Sequence, residues 1–130
     1  MEAQLIQEFF QDGIYEKTKM NIDLIEGDYL KIAGVNTKIT QQQVDDIQNS
    51  LLTYTPIALT DTWFSDFGFT AFVDNETGLG TYQKGNVTIF FSPVRLVADI
   101  TYCEQKIVTV DCVHHVQNVV KKLTGELLTK

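Results

Sequence analysis

Residues Phe69–Val110 have the sequence FTAFVDNETGLGTYQKGNVTIFFSPVRLVADITYCEQKIVTV, and this stretch decides the fold class. It contains a series of short runs rich in β-branched and aromatic residues, which strands favour. The runs are Phe69–Val73, Leu79–Gln83, Val87–Phe91, Leu96–Tyr102 and Ile107–Val110. Because the connections between them are too short for the crossovers of parallel strands, the pattern predicts an antiparallel meander.

The residues before the meander predict short strands and a helix. Ile22–Ile25 and Tyr29–Ile32 are predicted strands, and a further turn is expected at Gly34–Asn36. Thr40 followed by Gln43 is the signature of a capping box, in which the hydroxyl and the amide satisfy backbone donors at a helix N-terminus. The apolar face of the helix that follows is expected to carry Val44, Ile47 and Leu51.

A second short helix is predicted between Thr60, a suitable N-cap, and Gly68, which favours the left-handed end of a helix. Trp63 and Phe67 lie four residues apart and therefore share one face of this helix. Two interpretations of that face are open. It covers one end of the sheet core, or it offers a stacking surface for a planar ligand or a contact surface for a protein.

Helices are also predicted at the two ends of the chain. Residues 1–20 are expected to form an N-terminal helical extension, because apolar residues recur there at helical spacing. A C-terminal amphipathic helix is predicted over Asp111–Leu123, and its polar face would carry His114, Asn118 and Lys122. Its apolar stripe comprises Val113, Val116, Val120 and Leu123, with Leu127 if the helix continues past Gly125. Residues 1–130 are therefore expected to form a single α+β domain.

The charge balance excludes several classes of partner. The chain has 17 acidic and 10 basic residues and a formal net charge of −7. A protein that binds bulk nucleic acid needs clustered Lys and Arg to displace phosphate counterions, whereas Arg95 is the one arginine here. An anionic membrane surface is disfavoured on the same ground.

No apolar run reaches the about 20 residues of a membrane span, and the N-terminus lacks the basic region of a signal peptide. A cytoplasmic location is expected.

The residues most often used in catalysis and metal binding give no recognisable motif. Cys103 and Cys112 are predicted to be reduced, half-buried thiols, with a disulfide across strand ends as the alternative. His114 and His115 are expected to be solvated, and because neighbouring helical positions diverge by about 100°, joint chelation of one metal ion is not expected. Neither a nucleophile beside a base nor a phosphate-binding glycine loop is evident. We therefore predict a protein that is not an enzyme and has no cofactor or metal.

The pair Phe90-Phe91 bears on self-association. Successive strand residues point to opposite faces of a sheet, so one phenylalanine must lie on each face. We therefore expect both faces to be covered at this point, by helices or by a partner chain, and a homo-oligomer is the corresponding prediction.

Three stretches together resemble a family of small uncharacterised proteins encoded in Bacteroidetes genomes, prophages and phages. Leu24–Leu30, LIEGDYL, is similar to an opening of the form L-R-I-G-N-Y-V. Tyr54–Phe69, YTPIALTDTWFSDFGF, resembles Y-x-P-I-P-L-T-E-E-W-L-L-K-F-G-F, with Ala58 in place of a proline. Val113–Glu126 resembles an ending with V-H-x-x-Q-N followed by L-T-G-E. The resemblance implies a mobile-element origin and a small α+β fold, and it transfers no catalytic residue.

The resulting first hypothesis is a phage-type binding protein without catalysis, which acts in the host cell by sequestering an immune signalling nucleotide. Its predicted contacts are Trp63 and Phe67 for stacking, Arg95 for phosphate, and His114 with Asn118 for polar groups. The alternatives are an adaptor or inhibitor of a host protein that docks through the acidic surface, and a minor virion component. A small hydrolase ranks last.

Overall fold

The computed structural model describes residues 24–73, 76 and 80–130, and the predicted N-terminal extension lies outside them. The described chain is an α+β fold, as predicted. Its elements, in chain order, are β1 (Tyr29–Ile32), β2 (Val35–Lys38), α1 (Gln41–Gln48), α2 (Asp61–Asp66), β3 (Thr70–Val73), β4 (Gly80–Lys84), β5 (Val87–Ser92), β6 (Val97–Tyr102), β7 (Gln105–Val110) and α3 (Val113–Thr124).

The meander predicted from Phe69 onward is confirmed. Strands β3 to β7 form one sheet in sequential order, and every neighbouring pair is antiparallel. The turn between β6 and β7 has two residues, Cys103 and Glu104, at φ 51° and 67°. Positive φ at both positions is the geometry whose twist matches that of the flanking strands.

The hairpin of β1 and β2 corrects two predictions about the preceding segment. The turn consists of Ala33 and Gly34, both at positive φ, so Ile32 pairs directly with Val35. The predicted turn at Gly34–Asn36 therefore begins one residue too late and extends into β2. The described part of the predicted strand Ile22–Ile25 is irregular, because β1 finds its partner in β2 instead.

The capping box of α1 is confirmed. The backbone N–H of Gln43 donates to the Thr40 hydroxyl at 3.2 Å, and the backbone N–H of Thr40 donates to the Gln43 side-chain oxygen at 2.9 Å. Val44 and Ile47 are buried as expected. Leu51 is not on the helix, which ends at Gln48, and its side chain is 76% exposed.

Helix α2 covers one end of the core of the large sheet. Its aromatic residues are buried, and the Phe64 ring lies 4.8 Å from the Tyr82 ring and 5.4 Å from the Phe91 ring. Gly68 follows the helix at φ 90°, as predicted. Thr60 is the N-cap residue, but its side chain makes no capping hydrogen bond within the described structure.

Helix α3 is buried on more than one side, and this corrects the predicted amphipathic pattern. All of its residues from Val113 to Val120 are buried, so His114 and Asn118 do not lie on a solvated face. The exposed residues of its last turn are Lys121, Lys122 and Thr124. The helix ends at Gly125, at φ 80°, so the apolar stripe does not continue along the helix to Leu127.

Helix α3 is buried on more than one side because it lies between two layers. One is the inner face of the large sheet, which contributes most of the main hydrophobic core. The other contains β1 and the residues that flank it, and β1 alternates so that Tyr29 belongs to the main core and Leu30 to a smaller one. The smaller core comprises Leu24, Leu30, Ile39, Val44 and Ile47.

Gln117, which is fully buried on α3, joins these parts through its side-chain amide. Its oxygen accepts from the backbone N–H of Tyr29 at 2.9 Å. Its nitrogen donates to the carbonyl of Gly27 at 3.0 Å and to the carbonyl of Leu128 at 2.8 Å. One side chain therefore satisfies backbone groups that lie on both sides of it in the sequence.

We predict that Gln117→Leu lowers the free energy of unfolding by about 3 kcal/mol, because it leaves one N–H and two carbonyls buried without partners. Urea unfolding of both proteins measures the difference. Gln42→Leu is the matched control, since Gln42 is exposed on α1 and should change the stability by less than about 0.5 kcal/mol. Equal effects of the two substitutions would contradict the role assigned to Gln117.

Candidate functional site

A cavity of about 340 Å³ opens between the β4–β5 turn and the end of α3, and we call it the α3 cavity. Its apolar lining residues are Phe69, Val87, Val120, Leu123 and Leu128, and its polar or partly polar ones are Lys84, Asn86, Tyr102, Thr124 and Glu126. An apolar wall with a few polar groups is the usual construction of a small-molecule site.

Local structure brings these rim residues together. The β4–β5 turn is tight, with Lys84 paired to Val87 and Gly85 at φ 60°. Tyr102 is paired with Val87 on the next strand, so its ring position is set by the sheet register. The left-handed Gly125 ends α3 and directs Glu126 toward the same turn.

The charges at the rim form an exposed ion pair. The Lys84 ammonium lies 3.3 Å from a Glu126 carboxylate oxygen and also donates to the backbone carbonyl of Phe67 at 3.1 Å. The two charged side chains are 38% and 66% exposed. Ion pairs in such positions contribute about 0–1 kcal/mol, so Lys84 can exchange Glu126 for an anionic ligand at little cost.

A second cavity, of about 260 Å³, is less suited to an anion. It lies at the start of α2, and its charged lining residue is Asp61. Burial raises the pKa of Tyr82 beside it, and the Asp61 charge raises that pKa further. The Tyr82 side chain therefore remains a neutral phenol at neutral pH. The other lining residues are Leu59, Thr60, Gly80, Phe91, Pro93 and Leu96.

The residues predicted to bind a ligand lie in separate places. Trp63 and Phe67 are 7% and 2% exposed and pack with the Tyr29 ring, so they belong to the core and not to a surface for stacking. Arg95 is exposed in the turn between β5 and β6. His114 and Asn118 are buried on α3. None of the predicted residues lines either of the two cavities described above.

The prediction that both histidines are solvated is wrong. His114 is 0% and His115 is 1% exposed, and their ring centroids are 4.5 Å apart. The cause is the extended segment before α2, which covers the start of α3. Val113 donates its N–H to the Ile57 carbonyl at 3.0 Å, and the Tyr54 ring meets the His114 ring edge-on at 6.1 Å.

Cys112, His114 and His115 form a compact group, which we call the Cys–His cluster. The Cys112 sulfur lies 3.6 Å from Nδ1 of His114. One ligand atom from each of the three side chains lies within 4.8 Å of the others, and all three residues are buried. The sequence signal was the pattern Cys-x-His-His at the predicted start of a helix. The divergence of neighbouring helical positions by about 100° does not predict this cluster, because burial holds the two imidazole rings together.

Burial also determines the charge of the metal-free cluster. It raises the pKa of Cys112 to about 12, an effect that the backbone amide of His115 partly offsets and the Asp111 carboxylate reinforces. Burial, together with the neighbouring His115, lowers the pKa of His114 to about 3. The thiol and the imidazole of His114 are therefore both neutral at neutral pH.

Two further predictions concern the cysteines and the sheet faces. Neither cysteine is in a disulfide, but Cys103 is exposed and Cys112 is buried, so neither is half-buried as expected. Phe91 is 4% exposed and Phe90 is 49% exposed. The alternation is confirmed, while coverage of the outer face at Phe90 is not seen among residues 24–73, 76 and 80–130.

Comparisons with known proteins gave no match to a family model, a curated protein or a solved structure. Within the part of the chain that the structure describes, no helix has the length and apolar character needed to cross a membrane.

The difference between the two thiols predicts selective alkylation. In the metal-free folded protein, iodoacetamide should modify Cys103 alone, because Cys112 is buried and held as a neutral thiol. Mass spectrometry should show one adduct on the folded wild-type chain and none on folded Cys103→Ser. Both cysteines should react in denaturant. Rapid modification of folded Cys103→Ser would contradict the burial of Cys112.

Proposed function

We propose that this chain is a non-enzymatic binding protein and that the α3 cavity holds a small nucleotide-like ligand. The observation that carries the proposal is the combination of an apolar wall, the Tyr102 ring and the exchangeable Lys84 ammonium around one cavity. The residues differ from those predicted from the sequence, whereas the class of ligand is the same.

The aromatic component of the ligand would lie against Tyr102. This side chain is half-buried and stands on a paired strand, so little conformational freedom is lost when a ring stacks on it. Stacking of a nucleobase on an aromatic side chain contributes about 1–3 kcal/mol. The buried Val87 and Val120 next to it supply the apolar surface that a base also favours.

The anionic component would pair with Lys84. The ligand phosphate displaces Glu126, whose side chain is 66% exposed and returns to solvent. Asn86 on the same turn adds an amide donor. A cavity of about 340 Å³ is at the lower end of the range of small-molecule sites, about 300–1,000 Å³. It therefore favours a single nucleotide unit over a longer chain.

The resemblance to phage and prophage proteins supports the biological setting. We propose that the protein acts in the cytoplasm of a host cell and lowers the free concentration of a signalling nucleotide there. A binder needs no catalytic group for this role. The net charge of −7 does not assist the approach of an anion, so the selectivity must come from the cavity itself.

A ligand screen tests the proposal. We expect a nucleoside monophosphate or a cyclic mononucleotide to stabilise the full chain in thermal unfolding, by about 2.7 kcal/mol at 100 times its dissociation constant. Lys84→Met and Tyr102→Leu should each weaken binding at least tenfold in calorimetric titration. Lys106→Met is the matched control, because Lys106 pairs with Asp99 and neither residue lines the α3 cavity, so binding should be unchanged.

Two results would contradict the proposal. One is the absence of stabilisation by any of these compounds. The other is a ligand whose affinity is the same for wild-type protein and Lys84→Met, since it would then bind outside the α3 cavity.

The outer face of the large sheet favours a second candidate function, an adaptor or inhibitor of a protein. Phe72 and Phe90 are 57% and 49% exposed and are both paired with Thr81, so they lie in one row across three strands. Exposed apolar groups in such a row are typical of contact surfaces. The net charge of −7 fits a partner with a basic rim around an apolar centre.

The matched pair Phe90→Ser and Val35→Ser tests this second function, because Val35 is also exposed but lies on β2. A stoichiometric basic partner should lose affinity for Phe90→Ser and keep it for Val35→Ser. If light scattering shows instead a wild-type dimer that Phe90→Ser dissociates, a second copy of the chain covers this face and the adaptor function is wrong.

A further inference from the structure

We propose that the Cys–His cluster binds one Zn²⁺ ion through Cys112, His114 and His115. None of these residues lines the α3 cavity, so the metal site is distinct from the proposed ligand site. The inference does not depend on the function proposed above.

The spacing within the cluster fits zinc. Zinc binds thiolate sulfur at about 2.3 Å and imidazole nitrogen at about 2.0–2.1 Å, and a tetrahedral angle between two such bonds separates sulfur and nitrogen by about 3.6 Å. The Cys112 sulfur and Nδ1 of His114 are 3.6 Å apart. With a ligand atom of His115 inside the same 4.8 Å group, small side-chain rotations complete a three-ligand site.

The burial of the cluster is a second, independent argument. Polar side-chain atoms in a protein interior nearly always have partners, and each exception needs an explanation such as strain, a functional role, or an ion or water. Nε2 of His114 is buried and has no hydrogen-bond partner among the described residues. In the metal-free protein this ring therefore keeps one polar contact, a weak one with sulfur. Coordination through Nδ1, the ring nitrogen that faces Cys112, would replace this weak contact with a strong bond on a ring that has already lost its water.

The backbone around the cluster is fixed before any metal binds. Cys112 forms an isolated β-bridge with Ala58, and the next residue, Val113, donates its N–H to the Ile57 carbonyl at 3.0 Å. His114 and His115 stand in the first turn of α3, whose position is set by its burial. Metal binding therefore orders few new torsions, which favours affinity.

The three ligands found among the described residues, 24–73, 76 and 80–130, would leave one position of a tetrahedral zinc ion for water or another ligand. Structural zinc sites, by contrast, have four protein ligands.

Cobalt substitution tests the site in the full chain. After chelator treatment, titration with Co²⁺ should produce a sulfur-to-cobalt charge-transfer band that saturates at one equivalent and disappears when Zn²⁺ is added. Cys103→Ser is the matched control and should keep the band, because Cys103 is exposed in the β6–β7 turn. Cys112→Ser should lose it, and His114→Asn and His115→Asn should each weaken Zn²⁺ binding at least tenfold.

The proposal is overturned if the wild-type chain gives no charge-transfer band, or if the band depends on Cys103 and not on Cys112. Circular dichroism of the metal-free variants shows whether each one folds. If Cys112→Ser does not fold, X-ray absorption of the wild-type zinc protein decides: one sulfur and two imidazoles in the coordination shell support the site, and a shell of oxygen atoms alone contradicts it.

Discussion

The fold depends on the burial of α3 between two layers, and the side chain of Gln117 makes that burial possible. A helix enclosed on both sides brings the backbone of neighbouring segments into a water-free region, where each polar group needs a partner. Gln117 supplies three such partners, to Gly27, Tyr29 and Leu128. The β1 hairpin and the C-terminal residues are thereby attached to the same point of the helix that packs on the large sheet.

The same enclosure of α3 explains why the polar residues at its start are buried. A histidine on a helix that packs on a single sheet can turn toward solvent, as the sequence pattern suggested. Here the second layer and the Tyr54 segment close that route, and His114 and His115 share the interior with Cys112. Burial opposes charge on the metal-free Cys112 and His114 side chains. The ligand atoms of the three residues lie within 4.8 Å of one another.

The elements that were predictable are those whose signals are local. Alternation and short connections identified β3 to β7, and the Thr40–Gln43 pair marked the start of α1, because the interactions involved are between near neighbours in the sequence. The two-sided burial of α3 was not predictable in this way. Gln117 contacts Gly27 across 90 residues of sequence, and a helical wheel contains no information about such a partner.

The two proposed sites illustrate the same limit. Lys84 and Glu126 are separated by 42 residues, and a turn, a strand register and a helix end must all form before they meet. The cluster residues, by contrast, are nearly adjacent in the sequence and were missed only because their environment was misjudged.

Both sites use α3, the cluster at its first turn and the cavity at its last. A helix of 12 residues is about 18 Å long, and Gln117 fixes its middle to three backbone groups. A metal ion at the first turn would therefore restrain α3. Val120 and Leu123 of that helix form part of the wall of the α3 cavity. Because the sites share an element but no residue, a folded Cys112→Ser chain lacks the metal ligand and keeps both members of the Lys84–Glu126 pair. An effect of that substitution on ligand affinity would be transmitted along α3 or along β7, which pairs with the strand of Tyr102.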